Sequence, residues 1–169
     1  MITRLPKQCR WLVMVVAVML GGAIGAKDIG KAAPDFSRTD LAGNTVRLAD
    51  YRGKLVLLNF WASWCPPCLE EMPRFSQWQQ AFGAKGLQII GVSMDDDAAA
   101  AQQLLAKRPV SYPIVMGDAG LGELFGGVLG LPTSYLIDAQ GRIVARYRGE
   151  TDLEKMEVKI KALLDDSNR

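Results

Sequence analysis

The sequence predicts an α/β sandwich, a mixed β-sheet with helices packed against it. Residues 55–61 (LVLLNFW) and 87–94 (LQIIGVSM) are short, unbroken apolar runs of the kind that form strands buried on both faces. Each run is followed by a stretch whose apolar residues recur at helical spacing, so strand and helix alternate through the middle of the chain. Two further pairs of extended segments flank Ala42-Gly43-Asn44 and Ala139-Gln140-Gly141, which are hairpin signals. Strand–helix alternation favours parallel neighbours and hairpins enforce antiparallel ones, so the sheet is mixed.

At the N-terminus, Arg4, Lys7 and Arg10 precede a continuously apolar stretch at 11–20 and small residues at 21–26. That is the layout of a secretory signal peptide, with Gly21-Gly22-Ala23 fitting the small-residue cleavage rule. The alternative is an uncleaved membrane anchor, although 16 residues from 11 to 26 fall short of the ~20 a spanning helix needs. Either way the cations stay inside, which puts the rest of the chain in the periplasm or on the extracytoplasmic face of the membrane. Cys9 lies ahead of the apolar run and is not placed as a lipoprotein cysteine would be. Residues 27–34 read as a linker and 35–169 as one folded domain.

Within the domain, residues 36–41 and 45–48 form the first hairpin and 51–54 turn into the buried strand at 55–61. A helix at 69–82 ends at the glycines of 83–86, and the strand at 87–94 follows. Asp95 is placed to cap a helix over 96–108, with Asp96 and Asp97 favoured in its first turn by the helix dipole. The triplet lacks the spaced ligands and the glycine of a calcium loop. A short strand at 112–116 and a short helix at 121–125 come next. The glycines at 117, 120, 122, 126, 127 and 130 fit no phosphate loop and read as loop and helix-end residues. The second hairpin pairs 134–138 with 142–148. Thr151 or Asp152 caps a last helix through 164, which places Met156, Ile160, Leu163 and Leu164 on one face.

Composition excludes several functions. Without its first 26 residues the chain carries 17 basic and 18 acidic side chains, so nothing in its charge attracts nucleic acid. It contains no histidine, which removes many catalytic and metal-binding schemes.

The chemistry concentrates in Trp64-Cys65-Pro66-Pro67-Cys68, at the junction of the buried strand with the helix. Cys65 meets the helix N-terminus, whose partial positive charge and unpaired N–H groups favour a thiolate. Cys68 lies one turn on, within bonding reach. Cys65 is therefore expected as the exposed nucleophile and Cys68 as the resolving thiol. Pro66 and Pro67 suit a first helical turn, stiffen the loop and deny the Cys65 sulfur backbone donors, which tunes the redox potential. Half of a zinc site would need further Cys or His ligands, which the domain lacks. A purely structural disulfide would close too short a loop to stabilise much. Glu71, three residues after Cys68, reads either as an acceptor for the Cys68 proton or as a surface glutamate early in a helix.

FWASWCPPC resembles the thioredoxin active-site stretch, and WCPPCLEEMP resembles the exported TlpA/ResA type of thioredoxin-like protein. The resemblance covers about residues 33–164, including Gly130-Leu131-Pro132-Thr133. It implies the thioredoxin fold, with an N-terminal β-hairpin and a central βα insert. It also implies a thiol:disulfide oxidoreductase whose redox-active group is the Cys65–Cys68 disulfide itself, with no other cofactor and no metal. Pro132 matches the family's cis-proline, so that Trp64, Leu131 and Pro132 are expected to meet the substrate. Pro73 matches a helix-kinking proline, and Glu71 a glutamate that tunes the cysteines. The implied partners are protein thiols and disulfides, an apocytochrome c among them, and a membrane electron-donor protein. The implied membrane contact is through the N-terminal segment alone. Plain thioredoxins carry a buried aspartate where this chain has Asn59, so that proton relay is missing.

Two other functions compete. A thiol peroxidase of the peroxiredoxin type would carry a threonine three residues before its reactive cysteine, where this chain has Ala62. A copper chaperone of the Sco type would need a wider cysteine spacing and a histidine.

Overall fold

The structure is a computed structural model and describes residues 29–167. The signal-peptide or anchor reading of residues 1–26 lies outside that range. Strands β1 (Ser37–Thr39) and β2 (Thr45–Arg47) pair antiparallel as a separate two-stranded ribbon. Their loop is held by the Asp40 carboxylate, which accepts from the Ala42 and Asn44 N–H groups at 2.9 and 2.7 Å. After a 3₁₀ turn at Leu48–Tyr51 the chain enters β3 (Leu55–Trp61) and then α1 (Pro66–Phe82). There follow β4 (Leu87–Ser93), α2 (Ala98–Lys107), β5 (Ile114–Met116) and α3 (Ala119–Leu124). The last elements are β6 (Thr133–Ile137), β7 (Ile143–Arg148) and α4 (Leu153–Ser167).

The main sheet has the order β5-β4-β3-β6-β7. β3 pairs parallel with β4, and β4 with β5, while β6 runs antiparallel to both β3 and β7. The mixed sheet is therefore as expected, with the apolar run at 55–61 in its centre. All seven residues of β3 are buried, and their alternation divides the core in two. Leu55, Leu57 and Trp61 face a cluster formed with Met72, Phe75, Met156 and Ile160 of α1 and α4. Val56, Leu58 and Phe60 face a second cluster with Phe36, Leu121, Phe125 and Tyr135.

The two long helices are tied together on the first face. Glu157 of α4 accepts from Trp78 Nε1 at 2.9 Å and from Arg74 at 2.7 Å. Asp152 caps α4, its side chain accepting from the Lys155 N–H, and Met156, Ile160 and Leu164 are buried. Residues 30–33, within the stretch read as linker, bond along the start of β7. Gly30 donates to the Ile143 carbonyl, Ala33 to that of Gly141, and Ile143 to that of Lys31.

One cap differs from expectation. α2 is capped by Asp97, whose side chain accepts from the Ala99 N–H at 2.9 Å, and the helix begins at Ala98. No acidic residue occupies its first turn. Asp95 is instead drawn inward, because β4 leaves it beside two serine hydroxyls and a backbone N–H that it can accept from. The helix after the cysteines also starts earlier than the apolar spacing suggests, at Pro66, because proline is at home in a first turn that needs no N–H.

Candidate active site

β3 delivers the chain to the end of the sheet, where Ala62, Ser63 and Trp64 turn it into α1. Cys65 is the N-cap residue, Pro66 and Pro67 are the first two helical residues, and Cys68 is the third. Cys65 and Cys68 are joined as a disulfide, with Cα atoms 5.3 Å apart. Cys65 is 4 % exposed and Cys68 1 %. Cys65, bonded to Cys68, is thus not the exposed group expected; it lies in the core cluster that also holds Met72 and Phe75. Trp64 beside it is 68 % exposed and projects from the surface.

Pro132 reaches the same end of the sheet from another direction. Thr133, which opens β6, pairs with Phe60, so Pro132 stands level with the last residue of β3. The Leu131–Pro132 peptide is cis. Thr133 Oγ1 donates to the Gly130 carbonyl at 2.7 Å, and the Pro132 carbonyl accepts from the Gly149 N–H at 2.8 Å. Pro132 is buried and Leu131 half-buried. A hollow of about 260 Å³ beside them is lined by Leu129, Gly130, Leu131, Thr133, Arg148 and Gly149.

Backbone donors around Cys65 are few. An N-cap side chain ordinarily draws on the N–H of the second or third helical residue. The second is Pro67, which has none, so the Cys68 N–H is the remaining one. Cys65's own N–H bonds the Ala62 carbonyl, and the Ser63 N–H bonds Asp95.

Glu71 is buried at 3 % exposure, and neither carboxylate oxygen has a hydrogen-bond partner within ordinary limits. It is not a surface residue. Burial pushes its pKa from 4.5 up to about 7; the Thr151 backbone opposes the shift and the Glu150 charge adds to it. Tyr112, raised by burial and secondarily by the Glu71 charge, is buried with an unpartnered hydroxyl. Trp61 Nε1 also lacks a partner. A Cβ on Gly91 would come within 3.1 Å of Trp61 Nε1 and 3.3 Å of Tyr112 Cε2, so the indole and phenol share one wall over that glycine. Asn59, on the same face of β3, donates from Nδ2 to Ser134 Oγ of β6 at 3.0 Å.

The sequence reading missed Asp95 and Tyr112. In the sequence Asp95 reads as a helix cap rather than as a buried acceptor, and Tyr112 only as the start of a short strand. No group of three or more potential metal ligands occurs among the described residues, and none of their helices is long and apolar enough to cross a membrane.

Residues 29–146 match the model of the AhpC/TSA family. A thiol-disulfide oxidoreductase ResA from Bacillus cereus is 33 % identical over 162 residues, covering 89 % of this chain and 94 % of that protein. The chain belongs to the AhpC/TSA family of thioredoxin-like proteins. This AhpC/TSA-family chain is likewise 32 % identical to the thioredoxin-like protein YneN of Bacillus subtilis, over 89 % of its length and 96 % of the relative's. Among solved structures, a thiol:disulfide interchange protein of the thioredoxin family from Chlorobium tepidum superposes with a TM-score of 0.73. It is 29 % identical and covers 79 % of this chain and 95 % of that one. The fold is the thioredoxin fold, and the enzyme is a thiol–disulfide oxidoreductase with its cysteines at CXXC spacing.

Proposed function

We propose that this oxidoreductase works outside the cytoplasm as a reductant of protein disulfides, with an apocytochrome c among its clients. The observation that carries the direction is the shortage of N–H donors around Cys65. A thiolate with few donors is poorly stabilised, so the dithiol gives up its electrons readily. A couple whose reduced form is well stabilised is, by contrast, a strong oxidant. The cationic and apolar leader supports the extracytoplasmic location, either as a signal peptide or as a membrane anchor.

In the reductive direction the Cys65 thiolate attacks a client disulfide. A Cys65–client bond forms, and the other client sulfur leaves as a thiolate. Cys68 then gives up its proton and attacks the Cys65 sulfur, which closes the Cys65–Cys68 disulfide and releases the second client thiolate. Glu71, unpaired and close to half-protonated near neutral pH, is the acceptor for the Cys68 proton. Trp64, Leu131 and Pro132 frame the client backbone, and the prolines at 66 and 67 set the potential. Two electrons leave the protein per client disulfide, so a membrane dithiol donor must return them. The disulfide is the redox group, and no further cofactor enters these steps.

The deciding experiment is equilibration of the pair with a dithiothreitol buffer. A reduction potential nearer about −270 mV than about −120 mV supports a reductant; the opposite result overturns it. A Cys68→Ser variant, which cannot resolve the mixed disulfide, should retain its clients covalently. Recovery of no apocytochrome c from cells expressing that variant would remove it as a client.

A further inference from the structure

Asp95 is an acidic side chain buried at 5 % exposure where β4 leaves the sheet. Its carboxylate accepts from the Ser63 N–H at 3.0 and 3.1 Å, from Ser63 Oγ at 2.7 Å and from Ser93 Oγ at 2.7 Å. Directly before it, the Met94 N–H bonds the Trp61 carbonyl at 2.8 Å. The β3–β4 ladder thus runs one residue past β4, and the Asp95 side chain that follows bonds the turn that carries Cys65. Ser63 is two residues from that cysteine, and Cys65 closes the turn by donating to the Ala62 carbonyl. A surface acid needs none of these bonds; a buried one keeps its place only when donors surround it.

We infer that Asp95 is a positioning residue for disulfide exchange, clamping the turn at 62–64 so that Cys65 caps α1 while the Ser63 N–H stays off its sulfur. The clamp acts on the reaction in two ways. It fixes where the sulfur sits relative to the helix terminus. It also fills the immediate neighbourhood with a carboxylate and occupies the Ser63 donor, both of which withhold stabilisation from the Cys65 thiolate. Without the clamp the dithiol form is favoured, and the couple becomes a weaker reductant. The inference needs only that Cys65 and Cys68 exchange. The shift is read against the unmodified protein, so the absolute potential tests the reductant proposal separately.

The test uses the full chain and three variants, Asp95→Asn, Ser63→Ala and Asp97→Ala. Each is equilibrated with a dithiothreitol redox buffer and its dithiol fraction is read by thiol alkylation. Thermal unfolding is followed on the same samples. Asp97 is the comparator: it belongs to the same acidic triplet but caps α2, so its loss lowers thermal stability alone. The expected result is an equilibrium constant shifted toward the dithiol by about tenfold in Asp95→Asn. Ser63→Ala, which keeps the N–H bond, moves it the same way by less, and Asp97→Ala leaves it unchanged. If Asp95→Asn and Ser63→Ala melt earlier but keep the parental equilibrium constant, the clamp is merely structural and the inference fails. A shift toward the disulfide overturns it as well. Should Asp95→Asn not fold, Ser63→Ala decides, since Ser63 is only partly buried and its hydroxyl makes one bond.

Discussion

Glu71 and Tyr112 are coupled through the protein interior, each buried, each with unbonded oxygen, the carboxylate charge helping to hold the phenol protonated. Such groups are costly to keep, because burial without a partner forfeits solvation and returns nothing. Glu71 belongs to α1, the helix that carries the cysteines, and its burial there raises its pKa to about 7.

The first prediction follows from the sign of that titration. Between about 4.5 and about 7 the folded protein holds a proton on Glu71 that the unfolded chain has released. Stability is therefore full below that window and falls as pH rises through it. Glu71→Gln should flatten the decline, by roughly 1–3 kcal/mol after allowance for solvent screening. Urea denaturation on either side of the window measures this. In the same variant, resolution of a trapped mixed disulfide should slow; unchanged rates would leave Glu71 with no part in proton transfer.

Pro67→Ala restores an N–H at the second helical position, where an N-cap side chain looks for a donor. The Cys65 thiolate gains a hydrogen bond, and the reduction potential should rise by about 30 mV, a tenfold change in the equilibrium constant. Alkylation in a glutathione buffer reads it. A potential that stays put would show that the missing N–H is not what makes Cys65 donor-poor.

Glu157→Ala cuts the tie between α1 and α4 and strands the buried Trp78 N–H. The expected loss is about 1–3 kcal/mol, more than an exposed ion pair contributes. Lys161, then Trp78 and Arg74, hold the Glu157 carboxyl below its usual range. Its contribution is thus present at neutral pH and disappears as pH falls into and below the carboxylate range. Denaturation of both proteins at neutral and acid pH should show the gap closing on the acid side.

Most of the fold was legible because its strands carry unambiguous signals. Residues 55–61 are apolar at nearly every position, which only a strand covered on both faces tolerates, and β3 is the centre of the sheet. The Asp40 to Asn44 loop and Gly141 mark both hairpins. The cysteines were legible from their spacing and Pro132 from the family resemblance, and sheet register brings them to one end. Asp95 reads as the cap that Asp97 provides, since three consecutive aspartates look alike until β4 fixes which of them turns inward. The meeting of Glu71 with Tyr112 was not legible, because it depends on how α1 lies against a loop some 40 residues later. Cys65 is expected as the exposed nucleophile of the pair, whereas in the disulfide it packs into the core cluster of α1.

The pairing of residues 30–33 with the start of β7 gives the domain a front and a back. Thr133 pairs with Arg148 at one end of β6 and β7, beside the cis-proline, whereas Ile143 lies at the other. Residues 30–33 therefore pair at the end of the sheet opposite the disulfide, about 17 Å away along a strand of this length. The disulfide and the cis-proline thus occupy the pole opposite the one where Gly30 to Ala33 pair with β7.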